Sequence, residues 1–153
     1  MIRINRTDSS NPDFRELVAL LDQDLAIRDG EEHGFYAQFN SIAAIANAVV
    51  AYADEYPVGC GAFKPFEAGA VEIKRMYVRP DFRGKGFAPA VLAELEKWAA
   101  ELGYTSCVLE TGKKQPEAIR LYEKSGYELI PNYGQYAGVE NSVCMKKLLA
   151  DSQ

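Results

Sequence analysis

A short turn rich in glycine and basic residues has the composition of an anion-binding site. It lies between a strand-like run and a strongly amphipathic helix. The first N–H groups of a helix lack partners within it, so positive potential collects there, and glycines let a ligand approach the backbone. The pattern predicts a phosphate or pyrophosphate site, with a plain charged turn as an equal alternative. The turn consists of Arg83, Gly84, Lys85, Gly86, Phe87 and Ala88.

Two better-known phosphate motifs are excluded for this turn. A Walker A loop needs Gly-Lys-Ser/Thr after four spacer residues, and the chain contains no such string. A dinucleotide fingerprint needs a small residue at position 89, which is Pro89. Proline suits the first turn of a helix, where its missing N–H costs nothing. The turn is therefore still predicted to bind a phosphate, but it is neither a Walker A loop nor a dinucleotide fingerprint.

The elements that must position this turn alternate between strands and helices. Short turns separate the second, third and fourth apolar runs, which is typical of an antiparallel meander. A helix separates the fourth run from the fifth, so these two strands are predicted to be parallel. The run at 43–52 is interpreted as a strand, although its alanines would suit a helix. The predicted strands are 1–6, 43–52, 58–66, 70–79, 105–110, 127–130 and 142–148, and the predicted helices are 12–28, 87–102 and 116–124, with a shorter helix or ordered loop at 31–41.

Composition limits the classes of function. The chain has 153 residues, 48% of them hydrophobic and 25% charged, as expected for one globular domain with a real core. A formal net charge of -5 disfavours nucleic acid binding. The longest apolar stretch, 42–53, is too short to span a bilayer, and the first residues lack the apolar region of a signal peptide. A cytoplasmic protein without a membrane or nucleic acid partner is expected.

The three cysteines suggest core packing rather than chemistry. Cys60, Cys107 and Cys144 form no CxxC pair and each lies among strand-like residues. Reduced, buried thiols are the simplest interpretation. A Cys/His nucleophile pair would need His33, the single histidine, and no other feature of the sequence supports it. We therefore expect neither a disulfide nor a metal site.

Two sequence blocks resemble the GCN5-related N-acetyltransferase (GNAT) family. The family signature Arg/Gln-x-x-Gly-x-Gly/Ala is matched by residues 83–88, and the lead-in at 77–82 is also similar to family members. The second block, 115–127, resembles the family's late helix and the strand after it. Many members have Asn where this chain has Gln115, which keeps the amide but adds a methylene. Spacing and strand order agree over nearly the whole chain.

The resemblance implies a fold and a cofactor. The fold is a single α+β domain over residues 1–153, with a mixed, mostly antiparallel sheet of six to seven strands and about four helices. The sheet splits into a V between strands 4 and 5, and acetyl-CoA (coenzyme A) lies in that V. Its pyrophosphate would take the N–H groups of residues 83–88, and Lys113 and Lys114 could approach its 3′-phosphate. The pantetheine arm would pair with the strand backbone of Met76, Tyr77 and Val78, while Gln115 and Tyr122 would also contact the cofactor.

The chemistry implied by the family is direct acyl transfer from a thioester to an amine. An alkylammonium, with a pKa near ~10.4, must lose a proton before it attacks, and a thiolate leaves more easily with a proton donor. Tyr122 matches the family's tyrosine and is the predicted acid, with a core aromatic as the alternative. Glu72 is the favoured base, with a strand residue paired to Lys74 or Lys64 as the alternative. Glu110 competes with it and could equally bind the substrate ammonium, and a backbone amide near Val78 could stabilise the oxyanion.

The acceptor is expected at the loop before the last strand. That loop is aromatic and glycine-rich, which suits the covering of a ligand, although a loop packed on itself is equally typical. The leading hypothesis is an acetyl-CoA-dependent N-acetyltransferase acting on a primary amine of a small molecule or amino acid. The alternatives are an acyl-CoA sensor without turnover and a transferase with a longer acyl donor. A homodimer through the last strand pair is possible. The predicted acceptor-site residues are Phe35, Tyr133, Tyr136, Glu140 and Asn141.

Overall fold

The computed structural model describes residues 2–29 and 45–149. Within these ranges the chain forms three α-helices and seven strands, with short 3₁₀ turns at Pro80–Phe82 and Gly134–Tyr136. The strands are β1 Ile2–Thr7, β2 Asn47–Ala53, β3 Tyr56–Glu67, β4 Ala70–Val78, β5 Ser106–Gly112, β6 Glu128–Ile130 and β7 Ser142–Leu148. The helices are α1 Pro12–Asp29, α2 Phe87–Glu101 and α3 Pro116–Lys124. The fourth predicted helix, 31–41, lies outside the described residues.

The seven strands form one mixed sheet in the order β1-β2-β3-β4-β5-β7-β6. All neighbouring pairs are antiparallel except β4 and β5, which are parallel. The two-residue turn between β2 and β3 has Asp54 and Glu55 at φ of 49° and 79°, the left-handed conformation that a tight hairpin needs. The strand interpretation of the alanine-rich run is confirmed as β2, and so are the meander and the parallel pair.

The sheet divides between β4 and β5. Their pairing covers only Ala70 to Ile73 on β4 and Ser106 to Leu109 on β5. Beyond these residues β4 and β5 no longer pair with each other, although β4 continues to Val78. The predicted V-shaped split between the fourth and fifth strands is therefore confirmed.

A β-bulge in β4 lies just past the start of the split. Cys60 of β3 pairs with Tyr77 and Ala62 with Lys74, so the one residue of β3 between these pairs opposes two residues of β4. Arg75 takes up the extra residue at φ 60°, a conformation that non-glycine residues rarely adopt. A bulge places neighbouring side chains on the same face, which changes what β4 presents to the cleft.

The two faces of the sheet bury different helices. Alternate residues of β2 point to opposite faces, so Ala48 and Val50 pack under α1, while Val49 and Ala51 pack under α2. Tyr122 of α3 belongs to the α2 cluster, which places α3 on that face as well. We call these the α1 face and the α2/α3 face. The residues of α1 buried on its face are Phe14, Leu17, Val18 and Leu21.

The helix ends follow the sequence signals closely. The side chain of Asn11 accepts a hydrogen bond of 3.0 Å from the Phe14 N–H, as expected of an N-cap. At the end of α2, the Gly103 N–H bonds to Ala100 and the Tyr104 N–H to Ala99, both at 3.0 Å, which is a Schellman motif. The helix predicted at 87–102 ends one residue earlier in the structure, and Leu102 is 55% exposed. Leu102 is the C-cap, where the chain leaves the helix.

The cysteines agree with the expectation of core packing. Cys60, Cys107 and Cys144 are buried and not disulfide-bonded. The described part of the chain contains no group of three or more His, Cys, Asp or Glu residues arranged to hold a metal ion. None of the helices within residues 2–29 and 45–149 combines the length and apolar character needed to cross a membrane.

Candidate active site

A cavity of about 570 Å³ passes through the split between β4 and β5. Its lining comes from both faces of the sheet, with α1 residues at one end and the start of α2 at the other. The strands contribute the middle, and α3 closes one side. The lining from α1 is Leu21, Asp24 and Leu25; from β4 and β5 it is 73–78 and 110–112; from the glycine-rich turn and α2 it includes Arg83, Gly84, Gly86, Phe87, Ala88 and Pro89; and from α3 and its N-cap it includes Gln115 and Tyr122.

The glycine-rich turn offers unpaired donors to this cavity. Gly84 and Gly86 lie at φ of 78° and 90°, where other residues are strained. A Cβ on either glycine would meet no atom within 4 Å, so the space beside them is open. Gly86 is the N-cap of α2 and, as glycine, has no side chain to accept a hydrogen bond from the first N–H groups of the helix. The N–H groups of Phe87 and Ala88 therefore lie at the positive end of the helix dipole and have no partner within the helix. This arrangement fits a phosphate.

The strand edge beside the turn faces the split. The Arg79 N–H donates to the Val58 carbonyl of β3 at 2.8 Å, so the backbone groups of the preceding residue, Val78, point away from β3. The Val78 carbonyl accepts a 2.8 Å hydrogen bond from Nε of Arg83. The guanidinium of Arg83 also lies 5.5 Å from the centre of the Tyr77 ring. The arginine of the signature thus anchors the turn to the strand, and the backbone of β4 is available to a strand-like ligand.

Nearly all of the predicted cofactor-binding residues line the cavity. Lys85 is the exception among them, since its exposed side chain lies over the Phe82 ring, 5.7 Å from its centre. Lys113 and Lys114, considered for the 3′-phosphate, are exposed and also lie outside the lining. The Gln115 side chain reaches the cavity from the N-cap of α3. The structure therefore brings the two sequence blocks to one site.

Tyr122 is buried in the wall of the cavity. It is 6% exposed and packs edge-on against Tyr127, with ring centres 5.7 Å apart. Burial, and then the negative charge of Glu110, raise the pKa of its hydroxyl far above the usual value. The hydroxyl therefore keeps its proton at any physiological pH. The position is compatible with both interpretations of Tyr122, since it belongs to the core cluster and also lines the cavity.

The two candidate bases have different surroundings. Glu110 lines the cavity from β5. Glu72 is 3% exposed, accepts a 2.7 Å hydrogen bond from the Tyr133 hydroxyl, and has Nζ of Lys64 at 3.9 Å. Among the described residues that line the cavity Glu72 is absent. The geometry therefore favours Glu110 over Glu72 as the carboxylate that meets a ligand.

The loop residues predicted for the acceptor lie beside the cavity rather than in its described lining. Tyr136 is buried with Cys144, and Tyr133 packs on Phe66 with ring centres 4.7 Å apart. Asn141 is buried against Gly112, while Glu140 is exposed. Phe35 lies outside the described residues.

Sequence reasoning missed two cations of the cavity wall. Lys74 and Arg75 both line the cavity, and neither was predicted as a site residue. The signal was present: β4 alternates apolar and polar residues through Lys74 and then places a second polar residue, Arg75, directly after it. Such a break in the period of two indicates a bulge.

Comparison with protein families and curated proteins gives a consistent picture. The sequence model described as "Acetyltransferase (GNAT) family" matches residues 10–127. An IAA acetyltransferase from Azospirillum brasilense is 38% identical over 93 residues, which is 60% of this chain and 61% of that protein. The uncharacterized N-acetyltransferase YjgM from Escherichia coli is 40% identical over 85 residues, 54% of this chain and 50% of that protein. The chain thus spans about half to three fifths of the length of these relatives.

Solved structures share the fold over almost the whole chain. A Klebsiella pneumoniae protein, provisionally described as an acyl-CoA N-acyltransferase, has a TM-score of 0.82 at 28% identity and covers 98% of this chain and 99% of its own. The PaiA N-acetyltransferase from Thermoplasma acidophilum, solved in complex with coenzyme A, has a TM-score of 0.72 at 18% identity and covers 97% and 99%. At that lower identity the likeness concerns the fold alone.

Proposed function

Since the chain belongs to the acetyltransferase (GNAT) family, we propose that it transfers an acetyl group from acetyl-CoA to a primary amine of a small molecule or amino acid. One observation carries this proposal. A single cavity joins the uncapped start of α2 to Tyr122 and Glu110 through the split in the sheet. Such a transfer requires a diphosphate site at one end of the cleft and, at the other end, two groups that accept or donate protons. The whole of residues 1–153 is proposed to form one acetyltransferase domain.

The residues of the cleft fit coenzyme A at its charged end and along its arm. The unpaired N–H groups of Phe87 and Ala88 would hold the pyrophosphate, with the space beside Gly84 and Gly86 left open for it. The backbone edge of β4 from 76 to 78 would bind the amide arm as an added strand. The Arg83 side chain, bonded to Val78, keeps the turn and this edge in fixed relation. Bound in this way, acetyl-CoA would supply the activated acyl group.

Glu110 is the proposed base. An amine reaches the cleft mostly as an ammonium ion, which cannot attack a carbonyl until it loses a proton. Glu110 lines the cavity and carries a negative charge that would first attract the ammonium and then take its proton, directly or through water. Glu72 is engaged by Tyr133 and would act at most through its charge.

Tyr122 is the proposed donor to the leaving sulfur. Its raised pKa keeps the hydroxyl protonated, so it can donate a hydrogen bond to a thiolate as that charge develops. Full proton transfer from such a phenol to a thiolate with a parent pKa near ~8.5 is unfavourable. Tyr122 therefore acts chiefly by stabilising the departing sulfur, and the proton can come from the attacking amine.

Thermal unfolding tests the cofactor assignment without knowledge of the acceptor. Acetyl-CoA at concentrations well above its Kd should raise the Tm, and free CoA should compete with it for the same site. A chain with an unchanged Tm at millimolar acetyl-CoA would have no coenzyme A site. Tight binding without release of CoA in the presence of a wide panel of amines would instead support the acyl-CoA sensor.

A further inference from the structure

The α1 face of the cleft carries two adjacent cations that the coenzyme A site does not account for. Lys74 and Arg75 follow each other in sequence, and in a regular strand their side chains would point to opposite faces. The bulge at Arg75 removes that alternation: Lys74 lies opposite Ala62, which packs on the α1 face, and Arg75 turns to the same face. Both line the cavity. Arg75 reaches toward α1, where its Nη1 donates to Asp22 at 2.7 Å. The phosphate turn lies at the other end of the cavity, on the α2/α3 face.

Arg75 has a buried donor without a partner. Its side chain is only 3% exposed, yet within the described structure Nε finds no hydrogen-bond acceptor. A buried N–H of a cation that is left unpaired is costly, and a bound anion would remove that cost. The side of a guanidinium that carries Nε matches the two oxygens of a carboxylate. Asp22 accepts from Nη1, so it does not occupy the side of the guanidinium that carries Nε.

Lys74 adds a second positive charge to the same wall. Burial lowers the pKa of its ammonium, which the charge of Glu72 partly opposes. Lys64, Glu110 and Arg75 also act on this group. A carboxylate bound beside Lys74 would stabilise its charged form, so the two cations would act together on one anionic ligand.

We propose that the acceptor is an amino acid whose carboxylate is held by Arg75 and Lys74 while its amine lies toward Glu110. This inference rests on the proposed acetyl transfer and narrows its substrate class. Leu21 and Leu25 of α1 line the same end of the cavity and offer an apolar wall to the side chain of the acceptor. The acidic residues Asp24 and Glu110 would by themselves suit a polyamine, which is the contrary outcome of the test below.

Matched pairs of acceptors test the proposal. Leucine, methionine and phenylalanine are compared with 3-methylbutylamine, 3-(methylthio)propylamine and 2-phenylethylamine, which lack only the carboxylate, and with putrescine as a polyamine. Release of CoA gives kcat/KM for each compound. The amino acids should be favoured by about tenfold or more, the usual effect of a hydrogen bond to a charged group. Equal or higher values for the amines or for putrescine would overturn the proposal.

Substitutions connect this preference to the two cations. Arg75→Asn removes the guanidinium, and asparagine tolerates the left-handed backbone at this position. The variant should lose the preference through a rise in KM for amino acids of about tenfold or more, with KM for the matched amines unchanged. Lys74→Met should also lose the preference for amino acids, again through a rise in their KM. Arg79→Gln is the matched control, because Arg79 is also an arginine paired with α1, through Glu16, but lies outside the described lining. A preference that survives in both Arg75→Asn and Lys74→Met would contradict the proposal.

A binding measurement separates failure of this inference from failure of the transferase function. N-acetyl-leucine and N-(3-methylbutyl)acetamide, the matched products, are titrated calorimetrically into the protein saturated with CoA. Preferential binding of N-acetyl-leucine that is lost in Arg75→Asn supports the carboxylate site even if no acceptor is turned over. Turnover of amines without any carboxylate preference overturns the carboxylate site and leaves the transferase function standing. Absence of both turnover and binding overturns both.

Discussion

The hydroxyl of Tyr133 donates a 2.7 Å hydrogen bond to the carboxylate of Glu72, which is 3% exposed. Burial, followed by the charge of Glu72 and this hydrogen bond, raises the pKa of Tyr133 far above its usual value and keeps the hydroxyl a donor. The contact ties the loop before β7 to the middle of β4. It also separates the roles of the two candidate carboxylates, since Glu72 is held by the loop and Glu110 lines the cavity.

Replacement of the two glutamates by glutamine should have unequal effects on turnover. Glu110→Gln removes the proposed base and should lower kcat by about a hundredfold or more, with the Tm rise caused by acetyl-CoA retained. Glu72→Gln keeps an acceptor for Tyr133 and should lower kcat by much less. Steady-state kinetics on both variants checks this order. If Glu72→Gln has the larger effect on kcat, the base has been assigned to the wrong residue.

Loss of the Tyr133 hydroxyl should lower stability. Tyr133→Phe leaves the buried carboxylate of Glu72 without its hydroxyl donor, at a cost of about 1–3 kcal/mol in the free energy of unfolding. Urea denaturation measures the change. Tyr104→Phe is a suitable control, since Tyr104 is a half-buried tyrosine that packs on Phe63 away from the cleft. Equal stabilities of the two variants would mean that the contact with Glu72 contributes nothing.

Tyr122→Phe should separate binding from turnover. Phenylalanine keeps the ring that packs on Tyr127, so the fold and the affinity for acetyl-CoA should change little. The loss of a donor to the leaving sulfur should lower kcat by about tenfold or more. Because its pKa is raised, Tyr122 should cause no fall in rate on the alkaline side below about pH 10. Unchanged kcat across the pH profile would make Tyr122 a core residue only.

Two glycines at opposite ends of α2 give a matched test of the phosphate turn. Gly86 and Gly103 have φ of 90° and 95°, and a Cβ on either would meet no atom within 4 Å. Alanine at either position should therefore cost a similar strain of about 1 kcal/mol or more. Only Gly86→Ala should also weaken acetyl-CoA binding, because only Gly86 lines the cavity. An equal affinity of the two variants for acetyl-CoA, measured calorimetrically, would show that the turn does not hold the cofactor.

The buried thiol of Cys60 should make the fold sensitive to alkaline pH. Burial raises its pKa from 9.0 to about 12 in the folded chain. The folded state thus holds this proton more tightly than the unfolded state, so its contribution to stability is full below about pH 9 and is lost as the pH rises toward 12. The free energy of unfolding should fall less steeply between about pH 9 and about pH 11 in Cys60→Ala than in the parent chain, by on the order of 1 kcal/mol per pH unit. Parallel curves for the two proteins would contradict this role of Cys60.

Most of the fold was predictable because its signals are local. Residues within a few positions of each other determine the start of α1 at Asn11 and Pro12, the end of α2 at Gly103 and the hairpin at 54–55. The alanine-rich β2 could not be distinguished from a helix locally, since its strand state comes from pairing with β1 and β3. The end of α2 was predicted one residue late, at Leu102, because periodicity does not say where a helix ends.

The site was predictable only in part, for a similar reason. The turn at 83–88 and the block at 115–127 have motifs, and the structure brings both to one cavity. The bond from Tyr133 to Glu72 joins residues 61 positions apart, and no local pattern predicts it. The shared orientation of Lys74 and Arg75 depends on the bulge, whose sequence signal is the break in the alternation of β4, since Arg75 is not the glycine that would mark a left-handed position.

Amine-dependent release of CoA from acetyl-CoA, compared between the parent chain and Glu110→Gln, tests the central claim most directly. The cleft is proposed to bind acetyl-CoA and to deprotonate an amine at Glu110. The parent chain should release CoA far faster with an accepted amine than without one, and Glu110→Gln should lose about a hundredfold or more of that rate while acetyl-CoA still raises its Tm. A release rate that no amine in the panel raises above the amine-free rate, in a parent chain that acetyl-CoA does stabilise, would contradict the claim and identify a sensor instead.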